Sequence, residues 1–306
     1  MRACIILNPV GAGGRALKKW RKVKVILDAK GIEYKLYRSS GRDGIEKLCS
    51  KLTGEGNVTL IIIGGDGSMN QAVNGIRDFE HTKLGLIPAG TGNDFIRNFD
   101  IPKKLEDQID YIFDGKVKHS TDVGEVTFHN VDDTGEDIIR RFNISCELGF
   151  GSEVCYRVDH SPLKKRFKNG SVTFLAEVLK AIKGLKPFTL TLTTDKQTTT
   201  YDSTLSCMVM NTCYEGGGMK FCPDALFDDG QFDIAAGNLS KAKFVSIIPL
   251  AYAGKTTGVK GIYMDRTPCA ELVADTPQYA HADGECVGRS THISVRMYGH
   301  RLKLLI

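Results

Sequence analysis

The chain has 306 residues, of which 42% are hydrophobic and 25% charged, with a formal net charge of +5. That balance belongs to a globular protein large enough for one big domain or two, and it excludes a disordered or low-complexity chain. No run of eighteen apolar residues offers a membrane-crossing helix, and nine scattered cysteines without a Cys-x-x-Cys pair are expected as free thiols in a reducing cytoplasm.

Residues 2–7 read as a buried strand, since a short apolar run after one positive charge is too brief for a signal peptide. Asn8-Pro9-Val10-Gly11-Ala12-Gly13-Gly14-Arg15 follows as a glycine-rich loop. Leu17, Trp20, Val23 and Ile26/Leu27 then recur at helical spacing within residues 16–29. Strands are predicted at 33–37, 59–63 and 83–87, with a helix at 43–52 and a short one at 71–76. Strand–helix alternation over the first ~120 residues predicts a parallel α/β layer domain, with its site at the carboxyl ends of strands.

From Asp122 onward strands dominate. They are predicted at 125–129, 139–147, 188–193, 205–211, 231–235, 270–274 and 292–297, interrupted by helices at 172–185 and 241–253. A mostly antiparallel β domain is expected there.

The chemistry is concentrated in loops. Gly64-Gly65-Asp66-Gly67-Ser68-Met69-Asn70 stands between an apolar strand and a helix, where backbone N–H groups bind anions. A turn needs only the glycines, so Asp66 calls for a further explanation. Next to a phosphate it requires a bridging divalent cation or a proton, and Mg²⁺ is the usual bridge. Pro88-Ala89-Gly90-Thr91-Gly92-Asn93-Asp94 repeats the pattern after the next strand. Asp283-Gly284-Glu285 reads alone as a plain turn, and together with Asp66 and Asp94 as the base for a hydroxyl acceptor.

Two loops carry less. Gly11-x-Gly13-x-x-Ala16, with Glu33 downstream, is a loose dinucleotide fingerprint as compatible with an ordinary βα loop. Gly254-Lys255-Thr256 lacks the glycine a phosphate-binding P-loop needs, because Pro249 stands there. The basic run Lys164-Lys165-Arg166-Phe167-Lys168 before the amphipathic segment suits either a solvated helix start or contact with anionic lipid. No nucleic-acid-binding module is recognisable.

Taken together, the Gly64–Asn70, Pro88–Phe95 and Asp283–Glu285 motifs resemble the bacterial soluble diacylglycerol kinase or lipid kinase family, within the superfamily that includes NAD kinases. Asn8-Pro9 with Gly13, and Cys222 to Phe232, fit the same pattern. The resemblance implies a three-layer α/β ATP-binding catalytic domain over 1–121, with 296–306 returning to it. A β-rich, antiparallel sandwich-like lipid-substrate domain would cover 122–295, and the site would lie between the two.

Carried over by motif, Asn8, Pro9, Gly13, Ser39, Gly64, Gly65, Asp66, Gly67, Ser68, Asn70, Thr91 and Asn93 would bind ATP. Asp66, Asp94 and Glu285 would organise a catalytic Mg²⁺ through water, and Asp283 or Glu285 would accept the hydroxyl proton. Leu226, Asp229 and Gln231 would hold a structural Mg²⁺, where the residues alone read as a hairpin turn. The implied reaction is ATP-dependent phosphorylation of a lipid hydroxyl, diacylglycerol foremost, by a cytoplasmic enzyme peripheral at the inner membrane surface, with a homodimer compatible. The rivals are an NAD or sugar kinase, and a catalytically silent lipid- or nucleotide-binding regulator.

Overall fold

The computed structural model describes residues 3–54, 56–163 and 170–306. It forms two compact units, Met1–Val123 with Gly299–Ile306, and Gly124–Tyr298. The expected basic run at 164–168 lies outside the described residues.

The first unit alternates strand and helix: β1 (Ala3–Leu7), α1 (Arg15–Ala29), β2 (Tyr34–Arg38), α2 (Gly44–Thr53), β3 (Val58–Gly64), α3 (Asp66–Gly75), β4 (Thr82–Pro88), α4 (Leu105–Phe113) and β5 (His119–Thr121). The last strand of the chain, β16 (Leu302–Leu304), joins this unit. Among the described residues the sheet runs β2-β1-β3-β4-β16-β5. Its pairs are parallel except the last, where β5 runs antiparallel to β16.

The β3 sequence explains its central place. Leu60, Ile61, Ile62 and Ile63 are all fully buried, so both faces of the strand are covered, as a parallel sheet flanked by helices requires. Each such side chain contributes about 1.5–3 kcal/mol by leaving water. Helix α1 buries Ala16, Trp20, Val23 and Leu27, one stripe at spacings of four, three and four.

The second unit holds β6 (Gly124–His129), β7 (Ile138–Phe142), β8 (Ser145–Gly149), α5 (Phe150–His160), α6 (Gly170–Gly184), β9 (Phe188–Thr194), β10 (Thr198–Thr204) and β11 (Ser206–Met210). After these come β12 (Phe232–Ala236), α7 (Lys241–Tyr252), β13 (Tyr263–Thr267), β14 (Cys269–Ala282) and β15 (Glu285–Met297). Its strands pair antiparallel in the order β13-β12-β11-β8-β14-β15-β6-β7, and β9 leaves this path to link β14 with β10. The β9–β10 hairpin follows the threonine pattern. Leu190 and Leu192 are buried, while Thr191 meets Thr200 at 3.3 Å and Thr193 meets Thr198 at 3.1 Å.

The expected fold class, α/β followed by antiparallel β, is borne out, with local differences besides elements absent from the sequence reading, such as α5 and β13. The helix after β3 starts at Asp66, five residues earlier than the apolar pattern suggests, because Ser68 and Met69 N–H already turn back to the Gly65 carbonyl at 3.0 Å each. The single strand expected at 139–147 is two strands, β7 and β8, broken at Asn143-Ile144. There the main-chain N–H groups go to a distant carboxylate and not to a neighbouring strand. The strands expected at 270–274 and 292–297 are parts of β14 and β15, 14 and 13 residues long.

Candidate active site

In the first unit, four strand ends deliver the site. β3 and β4 pair in parallel up to Gly64 and Pro88, and the Ala89 N–H bonds the Gly64 carbonyl at 2.8 Å. The two glycine motifs therefore emerge side by side. A methyl group on Gly65 would sit 2.6 Å from the Gly90 Cα, so the backbones approach as closely as only glycine permits.

Asp66 is the first residue of α3, where the helix dipole favours a negative charge. Its Oδ1 accepts the Phe95 N–H at 3.1 Å, which ties the first loop to the second. Asp94 is buried, with its Oδ1 3.4 Å from Arg97 Nε. A methyl on Gly92 would lie 3.3 Å from Asp94 Oδ2 and 3.4 Å from Asp66 Oδ2. Two carboxylate oxygens from successive strand ends thus border one point. This is the hard, anionic donor set that Mg²⁺ takes alongside waters and phosphate oxygens.

Not every residue of these motifs faces a ligand. Asn93, in the left-handed region at φ 51°, spends its side chain within the loop. Its Oδ1 accepts the Gly90 N–H at 2.9 Å, and its Nδ2 donates to the Gly90 carbonyl at 3.2 Å. Asn70 is buried inside α3 and accepts from the Asn74 amide. Asn8 closes the turn after β1 by accepting the Val10 N–H at 3.2 Å, so Pro9 and Gly13 belong to a preformed loop. Ser39, buried, follows β2, and its N–H bonds the Leu7 carbonyl at 2.9 Å. Ser68 packs against Gly64, and Gly67 lies between Asp66 and Ser68 in the first turn of α3.

One part of the site went unread in the sequence. Arg15, Lys18, Lys19 and Lys22 line, with Ala89 and Gly90, a cleft of about 310 Å³. The Arg15 guanidinium bonds the Thr91 hydroxyl. Burial and the neighbouring Lys22 push the Lys19 ammonium below its usual range. The sequence carries this as basic residues at i, i+3, i+4 and i+7 along α1, beside the apolar stripe of the same helix.

In the second unit, Asp283 and Gly284 form the two-residue turn between β14 and β15, at φ 49° and 78°. Positive φ at both central positions marks the tight hairpin turn that matches strand twist. The Asp283 carboxylate is buried. Its Oδ2 accepts Asn143 N–H at 3.0 Å, and its Oδ1 accepts Ile144 and Ser145 N–H at 2.8 and 3.1 Å. It is the carboxylate that breaks β7 from β8. Glu285, the first residue of β15, is exposed.

Beside this turn stands a cluster absent from the sequence reading: Glu147 on β8, Glu215 in the loop after β11, and His281 on β14. Their ligand atoms lie within 4.8 Å of one another. His281 Nε2 is 3.4 Å from Glu147 Oε2 and 3.3 Å from Glu215 Oε1. Glu147 Oε1 also accepts the Gly151 N–H at 2.6 Å and the Ser206 hydroxyl. Ser145 Oγ donates to Glu215 at 2.7 Å. Burial, reinforced by the nearby Glu147 carboxylate, pushes the Glu215 carboxyl up to about 7.

At the expected structural Mg²⁺ loop, Leu226 is exposed and Asp229 accepts the Gln231 N–H at 3.0 Å. The other Asp229 oxygen meets the Arg266 guanidinium, which also approaches Asp233 at 3.5 Å.

Against known proteins, residues 2–126 match the family described as diacylglycerol kinase catalytic domain. Residues 146–306 match the YegS C-terminal NAD kinase beta sandwich-like domain. YtlR of Bacillus subtilis, which carries a lipid-kinase name, is 30% identical over 92% of this chain and 93% of its own. A diacylglycerol kinase of Mycobacterium tuberculosis is 28% identical over 88% of this chain and 86% of its own. A solved structure titled as a diacylglycerol kinase of Bacillus anthracis superposes with a TM-score of 0.70 at 18% identity, covering 99% of this chain and 96% of that one. The chain belongs to the diacylglycerol kinase and lipid kinase family. It is a kinase.

Proposed function

We propose that this kinase transfers the γ-phosphate of ATP to a lipid hydroxyl, with diacylglycerol as acceptor and phosphatidic acid as product. The observation that carries the reading is the pair Asp66 and Asp94, whose Oδ2 atoms border one point next to a basic cleft. Phosphoryl transfer needs little beyond positioning and charge neutralisation. The Gly64–Gly67 turn and the α3 N-terminus cradle phosphate oxygens. Arg15 and the α1 lysines offset the remaining charge. Asp66 and Asp94 would hold Mg²⁺, which would supply neutralisation of the charge on the phosphates. Glu285 accepts the acceptor's hydroxyl proton, because the oxygens of Asp283 are occupied by three main-chain donors.

A lipid acceptor requires contact with a membrane surface. Helix α6 exposes Val172, Leu175 and Leu179, spaced three and four apart on one face, at 44%, 60% and 61%. This supports peripheral attachment. Among the described residues no helix is long and apolar enough to cross a membrane.

Radiolabelled ATP with Mg²⁺, offered diacylglycerol, ceramide, a sphingoid base, NAD and a sugar, tests the reading. Label is expected in diacylglycerol presented in mixed micelles; label in NAD or the sugar with none in lipid overturns it. Asp66→Asn should lower kcat by about 10²–10³-fold, the scale for losing a preorganised charge-stabilising group. The melting temperature of that variant should stay near wild type.

A further inference from the structure

The Glu147–Glu215–His281 cluster lies beside the Asp283-Gly284-Glu285 turn, with Glu147 and His281 buried. Its spacing resembles a cation's ligand set, and the hydrogen bonds around the imidazole argue otherwise. The Gly284 N–H donates to His281 Nδ1 at 3.2 Å. A main-chain N–H can only donate, so Nδ1 presents its lone pair and the ring proton resides on Nε2. Nε2 faces both carboxylates, 3.4 Å from Glu147 and 3.3 Å from Glu215. A metal there would need the Nε2 lone pair, forcing the proton onto Nδ1 against the Gly284 N–H.

We propose that His281 is a positioning residue: its Nε2–H is anchored by Glu147 and Glu215, and its Nδ1 holds the Gly284 N–H, fixing the turn that presents Glu285. The inference rests on the reading that Glu285 serves the acceptor hydroxyl. Each anchor is itself secured. Glu147 is held by Gly151 and Ser206, and Glu215 by Ser145, whose own N–H goes to Asp283. Imidazole, carboxylates and turn are therefore linked by hydrogen bonds and close polar contacts around His281, which is 1% exposed. A proton on Nδ1 would set two donors against each other and release the turn.

Two isosteres separate the ring's two contacts. In His281→Asn the amide oxygen falls near the place of Nδ1 and can accept from Gly284. In His281→Gln the amide nitrogen reaches toward the glutamates, and Gly284 loses its acceptor. The expected result is that Gln lowers kcat at least tenfold with the ATP KM unchanged, while Asn keeps kcat within threefold. Equal losses in both variants, or wild-type kcat in His281→Gln, overturn the proposal.

Hydrogen exchange read on the peptide spanning Ala282–Cys286 is the second measurement and needs no turnover. Exchange should speed up in His281→Gln and stay near wild type in His281→Asn. If wild type phosphorylates no lipid, the function reading fails and this exchange pattern alone decides the positioning role. One equivalent of zinc co-purifying with wild type and lost from His281→Gln also overturns the proposal.

Discussion

Asp66 and Asp283 have the same side chain and opposite duties. Asp66 keeps one oxygen on the Phe95 N–H and turns the other toward Asp94 and Gly92. Asp283 gives both oxygens to the main chain of residues 143–145 and so shapes the fold. The glycines between the carboxylates are as demanding. At Gly65 a methyl would lie 2.6 Å from the Gly90 Cα, which is backbone and cannot rotate away. Gly65→Ala should therefore force the two loops apart and cost about 1–3 kcal/mol, the usual range for overpacking. Urea unfolding measures the loss, and ATP affinity should fall with it. An alanine variant with unchanged midpoint and affinity would contradict the close approach. All these residues were readable as candidates from the sequence. Their division into ligand-facing and fold-holding was not, because it depends on which N–H groups arrive from elsewhere.

At the scale of elements, α1 has two faces that do different work. Ala16, Trp20, Val23 and Leu27 bury one face. Arg15, Lys18, Lys19 and Lys22 line the cleft at Gly90. Converting Lys18, Lys19 and Lys22 together to Gln should raise the KM for ATP about tenfold, one RT ln 10 of roughly 1.4 kcal/mol, while kcat holds. The effect should shrink as salt rises, since screening weakens these charges in wild type too. Kinetics across a salt series check both points. Helix α3 makes the complementary case: its apolar pattern is visible only after residue 70, yet the helix begins at Asp66, and that early start puts the carboxylate at the positive end of the helix. Periodicity locates the body of an element well. Its first turn is set by capping and by the neighbouring loop.

Across the whole molecule, the second unit carries a pH dependence that comes from its interior. Glu215 is raised from 4.5 to about 7 by burial, which outweighs the opposing pull of His281 and is reinforced by Glu147. A carboxyl with a raised folded-state pKa binds its proton more tightly when folded. Its contribution to stability is therefore full below about 4.5 and is lost as pH rises through about 7. Glu215→Gln keeps a neutral side chain at every pH. The melting temperature of the variant relative to wild type should thus climb between about pH 5 and pH 8. Thermal unfolding across that range measures it; a flat difference would show that Glu215 is not protonated in the folded state.

Several features needed no structure: the change from strand–helix alternation to antiparallel strands, the two glycine loops at strand ends, and the carboxylates within them. They are local. Apolar runs, glycines and their neighbours act over a few residues, and their spacing is written in the chain. Other features took shape only on folding. The Asp283 carboxylate meets Asn143, 140 positions away, and splits a strand that local pattern reads as continuous. The Arg266 guanidinium reaches Asp229 from 37 positions away. His281 joins two glutamates from separate segments. Such pairings depend on sheet order and register, which bring distant residues together through long-range packing that no short stretch of sequence encodes.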